Sequence, residues 1–521
     1  MNQVVAQRAI VSINPATLEK LAEIPIASAE EVNRAVDRAR QAFPTWAALR
    51  FTQRARYILD ARQYILDHLD EIVELICKET GKPKIEALSA DVMPALDLMS
   101  YYAKHTEKLL KRERIGLGKY NLMGRSSYLV FKPLGVIGII SPWNFPLTIP
   151  LGEVVMALMA GNTVVLKPSE YTPLVGLKMG EIFQAVGLPD SALTVVSGDG
   201  STGSALAEAP VNKILFTGSV ATGRKVMMAA AKNLTPVVLE LGGKDPMIVC
   251  RDADLEVATS AAVWGAFTNA GQLCASVERC YVDETIAEEF TAKVVDKVKQ
   301  LRQGTPERLD TDIGPMANEN QLRVVEQQVG EAMARGAQAL CGGERNRDLK
   351  GLYFKPTVLT NVDHSFSIMR EETFGPVLPI MTFKTEEEAV KLANDTSFGL
   401  TASVWTTDIE RGQRLASQIE AGTVMINECA YTHALPQTPW GGVKQSGVGR
   451  THSKLGLKEL VAVEHIHINR LASIKDFWWY GYSEPLYLVL VEFCRKFTSP
   501  SWLDKLKALP AMFRAQRLRK Y

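Results

Sequence analysis

Cys274 closes the run Phe267-Thr-Asn-Ala-Gly-Gln-Leu-Cys274, whose small and polar residues cannot form a continuous buried strand. A thiol in so irregular a segment is placed to act as a nucleophile; for any single cysteine the plainer reading is a half-buried packing residue. Glu240 stands between two leucines in Leu239-Glu-Leu-Gly-Gly-Lys244, at the end of an apolar run and directly before two glycines. Partial loss of water raises a carboxylate's proton affinity, which suits a general base near neutral pH; pairing with a nearby lysine is the alternative. Asn144 follows another apolar run, in Ile140-Ser-Pro-Trp-Asn-Phe-Pro146, inside a turn bracketed by two prolines. Its amide can donate to an oxyanion or simply satisfy the turn backbone. Together the three residue types suit attack on a carbonyl carbon.

Positioning such side chains calls for a sheet whose carboxyl edge carries loops. Short apolar runs at Val136 to Ile140, Thr163 to Leu166, Leu193 to Val196, Ile214 to Phe216 and Val237 to Leu239 alternate with helical stretches near Gly152 to Met159 and Val175 to Val186. This alternation predicts a parallel, doubly wound sheet, with ligands at its carboxyl edge. It resumes with Met247 to Val249, a helix from Asp254 and Arg279 to Val282, then strands near Val358, Leu378, Ala402 and Val424, which predicts a second α/β domain. Before both, Ser28 and Glu31 form a capping box for a helix with Val32, Val36, Ala39 and Phe43 on one face. A longer helix is predicted from Thr52 to Glu79, stopped by Gly81 and Pro83. Ser126 to Phe131 alternates as an edge strand, with a late partner near His465 to Ile468.

With 521 residues, two or three domains are expected, and 46% hydrophobic with 22% charged residues describes an ordinary globular chain. A net charge of +1 excludes nucleic acid as the main partner. Seven scattered cysteines suit a reducing compartment, the N-terminus lacks a secretory pattern, and no histidine or cysteine spacing suggests a metal; a cytoplasmic protein is expected. Cys77, Cys250 and Cys341 read as packing residues, and His433 as a residue of a pocket mouth or the surface.

Six motifs in one order resemble the aldehyde dehydrogenase superfamily from about Ile13 to Asn469. They are Pro142-Trp-Asn144, Lys167-Pro-Ser-Glu170, Phe216-Thr-Gly-Ser219 with Gly223, Glu240-Leu-Gly-Gly243, Gly271-Gln-Leu-Cys274 and Glu371-Glu-Thr-Phe-Gly-Pro376, and Pro439 to Gly447 agrees as well. The resemblance implies an α/β fold with a Rossmann-type cofactor domain (1–118 and 132–242), an α/β catalytic domain (243–454) and a small β oligomerisation element (119–131 and 455–470), followed by a tail (471–521). It implies that Cys274 attacks the aldehyde, that Asn144 and the Cys274 N–H hold the oxyanion, and that Glu240 activates the water that releases the acid. Relatives that pass the acyl group to coenzyme A typically lack that base. A catalytically silent relative is the reading from another class, and the intact trio weighs against it.

The same resemblance places Ser141, Trp143, Lys167, Glu170, Gly218, Ser219, Gly223, Leu241, Glu372 and Phe374 at the cofactor. Glu170 near a ribose hydroxyl favours NAD, with NADP still possible beside Lys167. The substrate tunnel is expected to be lined by Phe145, Ile149, Gly152, Thr268, Leu273 and Tyr431, with Gly152 making it roomy. No arginine is evident there, which favours an apolar, long-chain aldehyde of fatty or terpenoid type. Gly243 to Val249 and Ser276-Val-Glu-Arg279 nevertheless resemble succinate-semialdehyde dehydrogenases. A homodimer or homotetramer is implied.

The tail departs from that pattern. It carries Trp478, Trp479 and Trp502, the aromatic cluster Phe477 to Tyr482, an apolar run from Leu486 to Val491, and a cationic surplus of Arg495, Lys496, Lys505, Lys507, Arg514, Arg517, Arg519 and Lys520 against Asp504. That mixture suits the surface of a membrane, and packing on protein is the alternative. No apolar run approaches the roughly 20 residues of a span.

Overall fold

The computed structural model describes residues 8–473, 475–476 and 478–518. The expectations for Phe477, Arg519 and Lys520 lie outside these. The chain forms two compact units, Met1–Leu109 with Pro133–Val461, and Leu110–Lys132 with Ala462–Tyr521.

Five strands of the first unit make a parallel sheet: β1 (Val136–Ile140), β2 (Thr163–Lys167), β3 (Leu193–Val195), β4 (Lys213–Thr217) and β5 (Val237–Glu240). Every residue of β1 and β2 is buried, as a strand covered by helices on both faces must be. The sheet order is β5-β4-β1-β2-β3, with Gly447–Val448 added antiparallel on β5. The chain leaves β1 toward β2 and comes back on its other side at β4. The loops after β1 and β4 therefore diverge at a switch point, where α/β sheets bind ligands.

A seven-stranded sheet follows, built from β6 (Asp245–Val249), β7 (Val277–Asp283), β8 (Gln338–Cys341), β9 (Thr357–Thr360), β10 (Val377–Phe383), β11 (Thr401–Trp405) and β12 (Thr423–Ile426). Its order is β8-β9-β10-β7-β6-β11-β12, and only β8 runs antiparallel to its neighbour. Met247, Ile248, Cys280, Tyr281 and Val404 are fully buried in its core.

Three helices bear on the site. α1 (Thr148–Ala160) is buried at every position, so it lacks the polar face of a surface helix. α2 (Val220–Ala231) begins at the N-cap Ser219, and α3 (Leu255–Phe267) at the N-cap Asp254. The predicted capping box at Ser28 and Glu31 is present. The helix expected from Thr52 to Glu79 is instead two, Phe51–Asp67 and Leu69–Thr80. His68 leaves helical geometry between them (φ −117°, ψ 29°) while its Nδ1 meets the Tyr64 carbonyl at 2.8 Å, a local break that apolar spacing does not register. Gly81 ends the second helix in the left-handed conformation at φ 78°.

In the second unit the strand Arg125–Pro133 lies between Val461–Asn469 and a third, unanticipated strand, Glu113–Ile115. The tail forms helices Glu484–Phe497, Trp502–Lys507 and Leu509–Arg517. Their inward residues Phe493, Phe497, Ala508, Ala511 and Met512 enclose a small core with Met123. Lys119 caps it, donating to the Phe497 carbonyl at 3.0 Å. Strands and tail, expected as separate pieces, thus share one compact unit.

Candidate active site

The loop before Cys274 has an uncommon shape. Asn269, Ala270 and Gly271 have φ of 50°, 54° and 72°, three consecutive left-handed residues, two of which carry side chains. Hydrogen bonds hold this conformation. Asn269 donates its side-chain amide to the carbonyls of Asn144 (3.2 Å) and Gln272 (3.1 Å), and Gln272 returns a bond to the Asn269 carbonyl at 2.8 Å. Glu86 accepts from the Asn269 N–H at 2.9 Å and from the Thr268 hydroxyl at 2.9 Å. From below, the Gly243 backbone approaches so closely that a Cβ there would lie 2.5 Å from the Cys274 carbonyl oxygen. Half-buried Cys274 therefore rests on a rigid turn over the end of β5.

Asn144 is tied to the same loop. Its Nδ2 donates to the Gln272 carbonyl at 3.1 Å, and its own carbonyl accepts from Lys82 Nζ at 2.8 Å. Lys82 is fully buried, pairs with buried Asp91 at 3.2 Å and lies 3.9 Å from the Phe145 ring centroid. Asp91 in turn accepts from the Thr148 N–H at 2.7 Å, at the start of α1. Sequence reasoning missed Glu86, Lys82 and Asp91, whose bonds to Asn269, Asn144 and Thr148 span 183, 62 and 57 residues.

Two cavities meet at Cys274. The first, of about 1020 Å³, is lined by Trp143, Asn144, Ile149, Gly152, Glu153, Gly218, Ser219, Glu240, Leu241, Glu372 and Phe374 among others. The second, of about 900 Å³, is lined by Phe145, Thr148, Ile149, Trp264, Thr268, Leu273 and Tyr431, with Ala90, Ala430 and Ala434. Cys274, Ile149 and His433 border both. Gly152, expected to widen the tunnel, lines the first cavity instead, and a Cβ on it would lie 3.0 Å from Leu98. Half-buried His433 packs edge-on against Trp440 and His452 as part of the wall.

Burial dominates the electrostatics. Glu240 is buried, its oxygens form no well-made hydrogen bond among the described residues although Thr451 lies beside them, and the alternative of lysine pairing does not occur there. Its carboxyl is held well above the ordinary range by desolvation and then by the nearby Glu153, with Arg450 opposing. Desolvation, with the charges of Asp245, Glu372 and Glu240, likewise pushes the Cys274 thiol up. Both shifts favour the protonated form of the group.

The residue model of the aldehyde dehydrogenase family matches positions 4–466. The chain belongs to the aldehyde dehydrogenase family. This aldehyde dehydrogenase is 38% identical to a 4,4'-diapolycopene aldehyde oxidase of Methylomonas sp, over 91% of this chain and 88% of that protein. To the peroxisomal aminoaldehyde dehydrogenase 1 of Pisum sativum it is 39% identical, over 91% and 95%. Among solved structures, a Mycobacterium tuberculosis aldehyde dehydrogenase complexed with NAD+ superposes with a TM-score of 0.84 at 36% identity, over 88% of this chain and 94% of that one.

Within this aldehyde dehydrogenase the residues expected at a cofactor divide into two groups. Trp143, Gly218, Ser219, Leu241, Glu372 and Phe374 line the first cavity. Ser219 opens α2 onto it, so the first-turn amides of a twelve-residue helix face the space. Gly218 and Gly242 bring bare backbone to the wall, and a Cβ on Gly242 would lie 2.2 Å from the Glu372 carboxylate. Trp143 and Phe374 meet edge-on at 5.4 Å. Backbone donors, a helix start and flanking rings together fit a dinucleotide. Ser141, Lys167, Glu170 and Gly223 do not line the cavity. The Ser141 N–H donates to the Lys167 carbonyl at 3.1 Å, Lys167 pairs with Glu170 at 2.9 Å, and Gly223 packs under Leu241.

Lys244 and Glu278 lie in the two phrases that resemble succinate-semialdehyde dehydrogenases. They form a buried pair at 2.6 Å, and Glu278 accepts from the N–H groups of Thr373 and Phe374, both at 2.8 Å, fixing the Glu372 loop. Arg279 is fully buried and donates to the carbonyls of Lys244, Leu392 and Ala393.

Proposed function

We propose that this aldehyde dehydrogenase oxidises a long, apolar aldehyde to its carboxylate with NAD, NADP being the less favoured cofactor. One observation carries the substrate class: the cavity beyond Cys274 is lined without a single charged side chain. An aldehyde with a distal carboxylate calls for a guanidinium or ammonium there. The phrases that resemble succinate-semialdehyde dehydrogenases lie elsewhere, since Lys244, Glu278 and Arg279 spend their charges on one another and on backbone carbonyls. A cationic aldehyde is disfavoured too, because the Phe145 ring already carries the buried Lys82 ammonium against it. The Methylomonas relative is named for 4,4'-diapolycopene aldehyde, and the Pisum sativum relative for aminoaldehydes.

In this reading Cys274 attacks the aldehyde carbon, its thiol proton passing to Glu240, and the alkoxide is met by the Asn144 amide and the Cys274 N–H. When bound, NAD supplies the hydride acceptor in the first cavity, held by Trp143, Gly218, Ser219, Leu241, Glu372 and Phe374. Lys167 and Glu170 extend that site toward a ribose. Glu240 then activates the water that cleaves the thioester. Phe145, Ile149, Thr268, Leu273 and Tyr431 hold the chain of the substrate.

Among the described residues no helix is long and apolar enough to cross a membrane. The outward face of the tail is nonetheless apolar: Tyr480, Tyr487, Leu488, Trp502 and Leu503 are 83%, 67%, 62%, 52% and 66% exposed. Arg495, Lys505, Lys507 and Arg517 stand among them, while Lys496 and Arg514 pair with Glu492. We assign this face to contact with an anionic membrane surface, where a lipophilic aldehyde would partition. The open edge of Val461–Asn469 is the contact we propose between copies of the chain.

The test is reduction of NAD, followed by absorbance, over succinic semialdehyde, betaine aldehyde, alkanals of rising length and an apocarotenal, beside Cys274→Ala. The expected outcome is a kcat/KM that rises with chain length and is absent in the variant. A preference for succinic semialdehyde or betaine aldehyde refutes the substrate class and leaves the chemistry standing.

A further inference from the structure

Oxidation of an aldehyde by NAD+ and water yields the carboxylate, NADH and two protons, and the site must dispose of both. The first leaves the neutral Cys274 thiol as sulfur bonds to the aldehyde carbon. The second leaves water as its oxygen bonds to the thioester carbon and the carbon–sulfur bond breaks. The proton still on the released carboxylic acid returns to the departing thiolate, which closes the balance. A single carboxylate that accepts the first proton must be rid of it before it can accept the second.

We propose that Glu153 is the second proton holder, taking the thiol proton from Glu240 so that Glu240 is ionised again when water attacks. This rests on the reading of Glu240 as the base. Glu153 is the only charged residue of α1, a helix buried along its whole length, and it is itself 5% exposed. Nothing in the packing of that helix calls for a carboxylate, and burying one without a partner is costly. Its side chain lines the same cavity as Glu240 and Cys274. Its Oε1 accepts from the Thr217 hydroxyl at 3.3 Å, and Thr217 is the register neighbour of Glu240 across β4 and β5. Among the described residues its Oε2 has no hydrogen-bond partner, and the two oxygens of Glu240 form no well-made hydrogen bond, with Thr451 as their polar neighbour. Two buried carboxyls short of partners at one cavity are suited to share a proton, with water or substrate between them.

The other ionisable groups at this wall do not supply that role. His433 and His452 border the cavity, but burial holds His433 down at about 4 and His452 well below the usual range, so neither retains a proton near neutrality. Glu372 is occupied by the Gly243 N–H at 3.1 Å, and Arg450 donates to the carbonyls of Gly442 and Gly449. Glu153, raised to about 8 by burial, exchanges a proton in the working range.

Rapid mixing separates the two proton transfers. Glu153→Gln is expected to keep the initial burst of one NADH per site, because the first transfer needs only Glu240. Its steady-state rate falls about tenfold or more, at the low end of acid–base contributions. The limb of its pH–rate profile moves down, because one of the causes that raise Glu240, the neighbouring charge, is gone. Glu153→Asp, which keeps that charge, is expected to keep the limb of the parent enzyme, and it decides the matter should the amide variant fold poorly. Glu153→Gln with an unchanged steady state and limb overturns the relay, as does a displaced limb in Glu153→Asp. Glu240→Gln with full turnover overturns the base itself, a failure distinct from loss of the relay alone.

Discussion

Lys82 gives the sharpest test of how the site is held together. Its ammonium makes three contacts in two other segments: Asp91 at 3.2 Å, the Asn144 carbonyl at 2.8 Å, and the Phe145 ring at 3.9 Å. Both Lys82 and Asp91 have fully buried side chains, so Lys82→Met leaves a carboxylate in the interior with no cation. Breaking a buried pair from one side costs about 3–5 kcal/mol. Asp91 keeps two backbone donors, Leu147 at 3.3 Å and Thr148 at 2.7 Å, which places the expected loss near the lower end, about 3 kcal/mol. In Lys82→Met/Asp91→Asn the stranded charge is gone and the donor from Thr148 still finds an amide oxygen, so about half of that loss should be recovered. Release of the Asn144 carbonyl also loosens the amide next to Cys274. Full loss of an oxyanion donor costs about 10²–10³ in kcat, so a displaced donor is expected to cost about tenfold. Thermal unfolding of the three proteins at one scan rate, with kcat on a long alkanal, measures both effects. A parental midpoint in Lys82→Met, or a double variant less stable than the single one, would refute the reasoning.

Three further outcomes follow from the site and the tail. Because the Cys274 thiol is pushed up, its thiolate fraction is small at neutral pH and grows as pH rises. Alkylation of the Cys274 peptide, read by mass spectrometry, should climb from neutrality to about pH 10 without a plateau, and a plateau near pH 7 would contradict the electrostatics. Gly243→Ala puts a methyl 2.5 Å from the Cys274 carbonyl oxygen and should lower kcat about 100-fold with the fold retained, as circular dichroism and kinetics will show. Leu488→Asp with Leu503→Asp on the outward face of the tail should abolish sedimentation with phosphatidylserine vesicles and leave turnover of a soluble aldehyde intact; retained sedimentation refutes membrane contact through that face.

Local signals were legible from residues alone. The Ser28 and Glu31 box, the stop at Gly81 and the buried runs of β1 and β2 are set by neighbours within a few positions, and the structure contains all of them. Cys274, Glu240 and Asn144 each announced themselves through a glycine or proline context, and the fold brings all three to one cavity. The struts behind them were not legible. Lys82 is 62 residues from Asn144 and Glu86 is 183 from Asn269, and no spacing rule joins such pairs. The break at His68 escaped because one side chain bonded to the turn before it outweighs a continuous apolar stripe. Gly152 was set in the wrong cavity for a related reason. On a helix buried all round, periodicity cannot tell which of two spaces a residue faces. Lys167 and Glu170, three residues apart, satisfied each other.

That buried helix has a bearing on how this enzyme diversifies. Within one turn α1 presents Ile149 to both cavities and Glu153 to the first, and its first amide hangs on Asp91 and so on Lys82. A change at Ile149 that admits a different aldehyde shifts the same rigid rod that aims the carboxylate, so selectivity and hydrolysis cannot drift independently through it. Adaptation to new substrates has freer ground at Ala90, Ala430 and Ala434, small residues that line the second cavity and not the first. Lineages of this enzyme should record their substrate history there and keep α1 nearly silent.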